Sequence, residues 1–184
     1  HEAAGKGTFL FGFEESYGYL KGTYARDKDA VCAAMLATEM AAYYKAKNMT
    51  LYDALQKLYE KYGYYGEKSQ DVYMEGLDGI ERRTNTMKNL RENPPKSIGG
   101  SPVAFVGDYL AGTITTLSDG SAKPTGLPKS DVLYYGLADG DVAVIRPSGT
   151  EPLIRIMAEG EDEAFTEAIA KQVAERIEEK LKVY

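Results

Sequence analysis

Tryptophan is absent, cysteine and histidine occur once each, and no apolar run reaches the ~18 residues of a membrane-spanning helix. Each shortage closes a class of function. The single cysteine, Cys32, forms no internal disulfide. It lies in Val31-Cys32-Ala33-Ala34-Met35 and reads as a small core hydrophobe. The only histidine, His1, sits at the edge of the chain, so a Ser-His-Asp or Cys-His site has no base. One Cys and one His also make a zinc site a poor fit. Walker-type and dinucleotide-type glycine patterns are missing. Glu14-Glu15-Ser16-Tyr17-Gly18 is only loosely like a nucleophile elbow, because Glu14 stands where the first glycine belongs. Asp139-Gly140-Asp141 offers clustered carboxylates of the kind magnesium favours. The run that follows, Val142-Ala143-Val144-Ile145, supplies no further ligand, so a turn between strands is expected there and no metal site is assigned.

What is present is ordinary for a folded chain: hydrophobic residues make up 43% and charged residues 27%. The net charge of -6 gives no general attraction to nucleic acid or to an anionic membrane surface. Any anion must therefore be held by a local cluster of donors. The length suits one domain, or one and a half smaller ones. The chain opens on His1-Glu2-Ala3-Ala4-Gly5-Lys6-Gly7, without an initiator Met, and passes at once into the apolar Thr8-Phe9-Leu10-Phe11. This reads as a cut within a larger protein. No signal-peptide pattern is seen, and a cytoplasmic location is expected.

The spacing predicts a short buried strand over Phe9–Phe13, a polar loop, and a long Ala- and Met-rich helix over Asp27–Lys47. Asp27 is the expected N-cap of that helix, and Lys28 then opposes the helix dipole from the first turn. Thr50 and Asp53 form a capping box for a second helix with the stripe Leu51, Leu55, Leu58, Tyr59 and Tyr62. Gly63 and Gly66 close it, and the Tyr-rich tract between them reads as a domain boundary. Beyond it, Asp71–Met74 is strand-like, and a helix runs through Leu77, Ile80, Thr84, Met87 and Leu90 to a stop at Asn93-Pro94-Pro95. Strands are expected over Pro102–Tyr109, Val132–Leu137, Val142–Ile145 and Leu153–Ala158, with 120–128 as a loop and a final amphipathic helix over Asp162–Tyr184. Such an order predicts an α+β domain with helices on one face of a sheet.

Two segments carry chemistry. In Val142-Ala143-Val144-Ile145-Arg146-Pro147-Ser148-Gly149-Thr150-Glu151-Pro152, a buried strand delivers Arg146 to its end. A positive φ at Gly149 would turn backbone N–H groups inward as an anion nest. Ser148 and Thr150 add hydroxyls, and Arg146 adds a planar fork that fits phosphate. Charge-assisted hydrogen bonds of about 1.5–3 kcal/mol each would hold a phosphate monoester in the micromolar-to-millimolar range. A Pro-Gly turn with a surface arginine has the same composition, and Arg155 reads equally as a cap on the sheet. Glu151 would repel a phosphate unless an arginine pairs with it. In the second segment, Phe13-Glu14-Glu15-Ser16-Tyr17-Gly18, two carboxylates and a hydroxyl follow a strand and match vicinal sugar hydroxyls. A solvated loop is the alternative.

Together these segments resemble the α-D-phosphohexomutase family. Phe11-Gly12-Phe13-Glu14-Glu15-Ser16-Tyr17-Gly18 is similar to its sugar-specificity loop in the phosphoglucomutase form, where phosphomannose and phosphoglucosamine forms carry Ser-Gly-His. Arg26-Asp27-Lys28-Asp29 is similar to the segment that follows it, and Arg146-Pro147-Ser148-Gly149-Thr150-Glu151-Pro152 to the phosphate loop of the fourth domain. The resemblance covers essentially the whole chain. It implies an α/β remnant of domain three over residues 1–66, followed over residues 67–184 by a domain four like the TATA-box-binding protein. It implies that Glu14 and Ser16 hold sugar hydroxyls, that Arg146, Ser148, Gly149, Thr150 and Arg155 hold phosphate, and that Lys28 lies near the reacting oxygen or a phosphate. The reaction implied is interconversion of glucose 1-phosphate and glucose 6-phosphate through a phosphoserine, with Mg2+ and glucose 1,6-bisphosphate. A Thr-Ala-Ser-His-Asn-Pro-like serine loop and an Asp-Arg metal loop are missing from the sequence. Their place is expected in N-terminal domains of the same protein, and the chain alone is expected to be inactive. Phosphomannose or phosphopentose specificity, or a non-catalytic sugar-phosphate module, are the alternatives.

Overall fold

A computed structural model describes residues 5–14 and 17–181 of the chain. It divides into two compact units, residues 1–63 and 64–184. In the first, strands β1 (Phe11–Phe13) and β2 (Tyr19–Lys21) form an antiparallel hairpin, followed by helices α1 (Ala30–Lys45) and α2 (Leu51–Tyr62). Local signals set the helix ends. Asp29 caps α1, its Oδ1 accepting from the Val31 and Cys32 amides at 2.9 and 3.1 Å. Thr50 and Asp53 satisfy each other's backbone N–H groups as the expected capping box.

Three expectations fail here. The N-cap is Asp29 and not Asp27, because the Asp29 amide donates to the Tyr19 carbonyl (2.9 Å) and its carboxylate also takes the Tyr24 hydroxyl (2.5 Å). Lys28 thus lies outside the helix and does not oppose its dipole from the first turn. The strand at Phe9–Phe13 is also not buried: Phe9, Leu10, Phe11 and Phe13 are exposed, as are Leu51, Leu55, Leu58 and Tyr62 of α2. A two-stranded hairpin and two helices present too little surface to cover one another. Cys32 is half-buried rather than a core residue.

The second unit holds β3 (Gly66–Tyr73), α3 (Gly79–Glu92), β4 (Ser97–Ile98), β5 (Ser101–Asp108), β6 (Thr113–Thr116), β7 (Ala122–Pro124), β8 (Leu133–Leu137), β9 (Val142–Pro147), β10 (Leu153–Gly160) and α4 (Glu163–Leu181). The strands make an antiparallel sheet in the order β3-β10-β9-β8-β5-β6-β7, with β4 beside β5. Residues of one parity on each strand point to a single face. Val72, Leu133, Tyr135, Ala143, Ile145, Ile154 and Ile156 bury that face against Met87 and Leu90 of α3 and Ile169, Val173 and Ile177 of α4. The expected α+β layering is what the unit has. The Asp139-Gly140 turn joins β8 to β9, with Gly140 at φ 100°. The hairpin β6–β7 runs into the stretch 120–128 expected as a loop, because β7 pairs with β6 through its backbone alone and buries none of its side chains.

Candidate functional site

Each unit carries one candidate loop. In the first, the Glu14 amide donates to the Gly18 carbonyl at 2.8 Å and closes the loop of the β1–β2 hairpin. The chain then returns so that Lys28 crosses Gly18. A Cβ at Gly18 would stand 2.7 Å from Lys28 Cγ and Cδ and 2.9 Å from Glu14 Oε2, so a side chain there would shift this pair from its present position. Lys28 Nζ lies 3.5 Å from Glu14 Oε2 and 3.2 Å from Asp27 Oδ1. The hydrogen bond and charge of Asp27, then the charge of Glu14, hold the Lys28 ammonium above its ordinary pKa. Lys28 is therefore a cation and proton donor in this state, not a base. Glu14 and Lys28, far apart in the sequence reading, are neighbours; Ser16 lies outside the described residues. Tyr17 takes φ 63°, a left-handed backbone uncommon for a bulky residue.

In the second unit, the β9–β10 connection carries the anion loop. Arg146 and Arg155 stand directly opposite in the register, and Asp71 of β3 faces Arg155 from the other side. Arg155 is bound in bidentate fashion, Nε to Oδ1 at 3.0 Å and Nη2 to Oδ2 at 3.2 Å. This carboxylate relieves the repulsion of two guanidinium groups on adjacent strands. The Ser148 amide donates to the Leu153 carbonyl (3.0 Å). The Ser148 hydroxyl accepts from the Thr150 and Glu151 amides at 3.4 and 3.2 Å. With both lone pairs engaged, that hydroxyl keeps its hydrogen for an outside acceptor.

The expected nest is thus corrected. Three of the four amides over residues 148–151 are turned to internal acceptors, and Gly149 is not in the positive-φ region. The space above Gly149 is open, with nothing within 4 Å of a Cβ built there. Sequence reasoning missed two residues. Arg83 of α3 donates from Nη1 to the carbonyls of Ser148 (2.6 Å) and Glu151 (3.0 Å). Asp71 could have been noticed as a carboxylate inside a strand; Arg83 carries no signal in sequence beyond its charge. Among the described residues no group of three His, Cys, Asp or Glu side chains could hold a metal ion. No helix among them is long and apolar enough to cross a membrane.

Comparison with known proteins gives consistent matches. Residues 1–62 match the model of the phosphoglucomutase/phosphomannomutase alpha/beta/alpha domain III, and residues 114–176 that of the phosphoglucomutase/phosphomannomutase C-terminal domain. A phosphoglucomutase of Staphylococcus aureus is 37% identical over 147 residues, covering 80% of this chain and 26% of the relative. That of Staphylococcus haemolyticus is 35% identical over 148 residues, covering 80% and 27%. The chain thus spans about a quarter of the length of the curated relatives it matches. The open form of the Paramecium exocytosis-sensitive phosphoprotein pp63/parafusin, a phosphoglucomutase, shares the fold with TM-score 0.51 at 18% identity, over 89% of this chain and 29% of that one.

Proposed function

Because the chain belongs to the phosphoglucomutase/phosphomannomutase family, we propose that it supplies the sugar-binding and phosphate-binding loops of a phosphoglucomutase. Residues 1–66 take the part of domain three and residues 67–184 that of domain four. The parent enzyme is an intramolecular phosphotransferase that interconverts glucose 1-phosphate and glucose 6-phosphate in the cytoplasm. Its serine nucleophile and its Mg2+ ligands reside in N-terminal domains of the same protein, and glucose 1,6-bisphosphate is the intermediate.

Within this chain the work is binding. Glu14 accepts from sugar hydroxyls, and Ser16, two residues on in the sequence, does the same. Lys28, kept charged by Asp27 and Glu14, stabilises negative charge near the reacting oxygen or donates a proton to it. Arg146, the Ser148 hydroxyl, the Gly149 amide and Thr150 hold the phosphate that is not being transferred, with Arg155 held behind them by Asp71. The observation that carries this reading is the Ser148 hydroxyl. Its two acceptor positions are filled from within the loop, which leaves its hydrogen for an outside acceptor, two residues from Arg146 in the sequence.

Calorimetric titration of the chain with glucose 1-phosphate tests the reading. Binding is expected in the range from about micromolar to millimolar, with glucose itself binding far more weakly. Arg146→Ala should weaken glucose 1-phosphate about tenfold to a hundredfold, the loss of one or more charged hydrogen bonds. Equal affinity for glucose and glucose 1-phosphate, or no effect of Arg146→Ala, would overturn it.

A further inference from the structure

The phosphate loop does not hold its own shape. Its outer end is tied to the β3–α3 connection, where the Met74 amide donates to the Pro152 carbonyl at 2.8 Å. Its inner side is tied by one nitrogen atom of Arg83, which reaches the carbonyls of Ser148 and Glu151 across 65 and 68 residues of sequence. Among the described residues no carboxylate pairs with Arg83, so its charge faces the loop backbone.

A trans peptide is planar, and its C=O and N–H point in opposite directions. Drawing the Ser148 carbonyl towards Arg83 therefore turns the next amide, that of Gly149, the other way. Gly149 is exposed with open space around it. The neighbouring amides are committed: Ser148 N to the Leu153 carbonyl, Thr150 N and Glu151 N to the Ser148 hydroxyl. Gly149 N–H is the amide of this loop left to face a ligand, and the hydrogen bond that aims it comes from α3.

We propose that Arg83 is the positioning residue of the anion loop, holding the Ser148 and Glu151 carbonyls so that the Gly149 amide points at a bound phosphate. The inference rests on the phosphate-binding reading given above. Arg83 does not touch the ligand. It acts through the backbone, and its uncompensated charge beneath the loop adds to the attraction for an anion.

The test is titration of the 15N-labelled chain with inorganic phosphate, following the Gly149 amide and the Arg146 Nε–H signals separately. In the parent chain both should move and saturate together. Arg83→Ala should weaken phosphate binding about tenfold, the loss of a charged hydrogen-bonding anchor. The Gly149 response should be lost while the Arg146 response persists at higher phosphate. Arg83→Lys should recover most of the affinity and the Gly149 response, since one nitrogen already serves both carbonyls. Lys88→Ala, on the exposed part of the same helix, should change nothing. Should Arg83→Ala fail to fold, Arg83→Gln, with a neutral donor on a similar stem, is read in the same way. A Gly149 response that survives in Arg83→Ala or Arg83→Gln overturns the assignment, as does loss of Gly149 and Arg146 responses in equal measure. A parent chain in which neither signal moves with phosphate overturns the phosphate-loop reading itself.

Discussion

The two units of this chain are stabilised in different ways. In the second, whole rows of side chains are withdrawn from water: Leu133, Tyr135, Ala143, Ile145, Ile154 and Ile156 are each 0% exposed. In the first, Ala54 is the buried hydrophobic residue among those described, while Phe11, Phe13, Val31, Met35, Leu55 and Leu58 face outward. Its elements rest instead on local devices: a capping box, an aspartate N-cap and a hairpin of two three-residue strands. Helices and strands can thus be specified by their termini alone, whereas a packed sheet needs partners from distant parts of the sequence.

The contrast is most easily broken by emptying a core position. Ile156→Ala should destabilise the second unit by about 2–5 kcal/mol, read as a lower urea midpoint in hydrogen exchange of the β9 and β10 amides. Leu55→Ala, at a position 40% exposed, should cost less than about 1 kcal/mol. Comparable losses would remove the distinction. A smaller effect sharpens it from the other side. Thr50→Ala deletes the N-cap of α2 and should cost about 1 kcal/mol, seen as faster exchange of the first-turn amides of α2 with no change in the second unit.

The smallest effect is one of pH. In the first unit Asp27, Asp29 and Asp53 are held below their ordinary pKa of 3.8, chiefly by hydrogen bonds from Lys28, Tyr24 and Thr50 respectively. Their stabilisation is present above pH 3.8 and is lost as pH falls through the lower folded values. Asp119 in a surface turn of the second unit acts in the same sense. Asp141 does the opposite: burial, then the charge of Asp139, raises its pKa. Its charged form disfavours the folded state at neutral pH, and that penalty is relieved as pH falls towards 3.8. Asp141→Asn should therefore stabilise the second unit at pH 7 and bring progressively less benefit on acidification, in melts recorded between pH 7 and about 4. A benefit that grows on acidification would contradict this.

Much of the fold could be read directly. Alternation of Leu133, Tyr135 and Leu137, the Asp139-Gly140 turn, the Thr50–Asp53 box and the Pro94-Pro95 stop each state a local rule that the chain obeys. What escaped depends on distant contacts. Two acids, Asp27 and Asp29, compete to cap α1, and the choice of Asp29 is made by Tyr19 and Tyr24. Strand β7 shows no alternation because all its side chains are exposed at the sheet edge. In the candidate site the same division holds. Arg146, Ser148, Gly149 and Thr150 stand together in one motif, but the pairing of Arg155 with Asp71 joins residues 84 apart. The positive φ expected at Gly149 is absent because Ser148 and Arg83 shape the loop instead.

The measurement that bears most directly on the account is a full amide map of the chain during titration with glucose 6-phosphate, repeated with Arg146→Ala. Saturable shifts are expected at Ser148, Gly149 and Thr150, displaced by Arg146→Ala to about tenfold to a hundredfold higher ligand concentration, with the β6–β7 hairpin unmoved. Shifts that leave residues 148–150 untouched, or that persist unchanged without the Arg146 guanidinium, would contradict it.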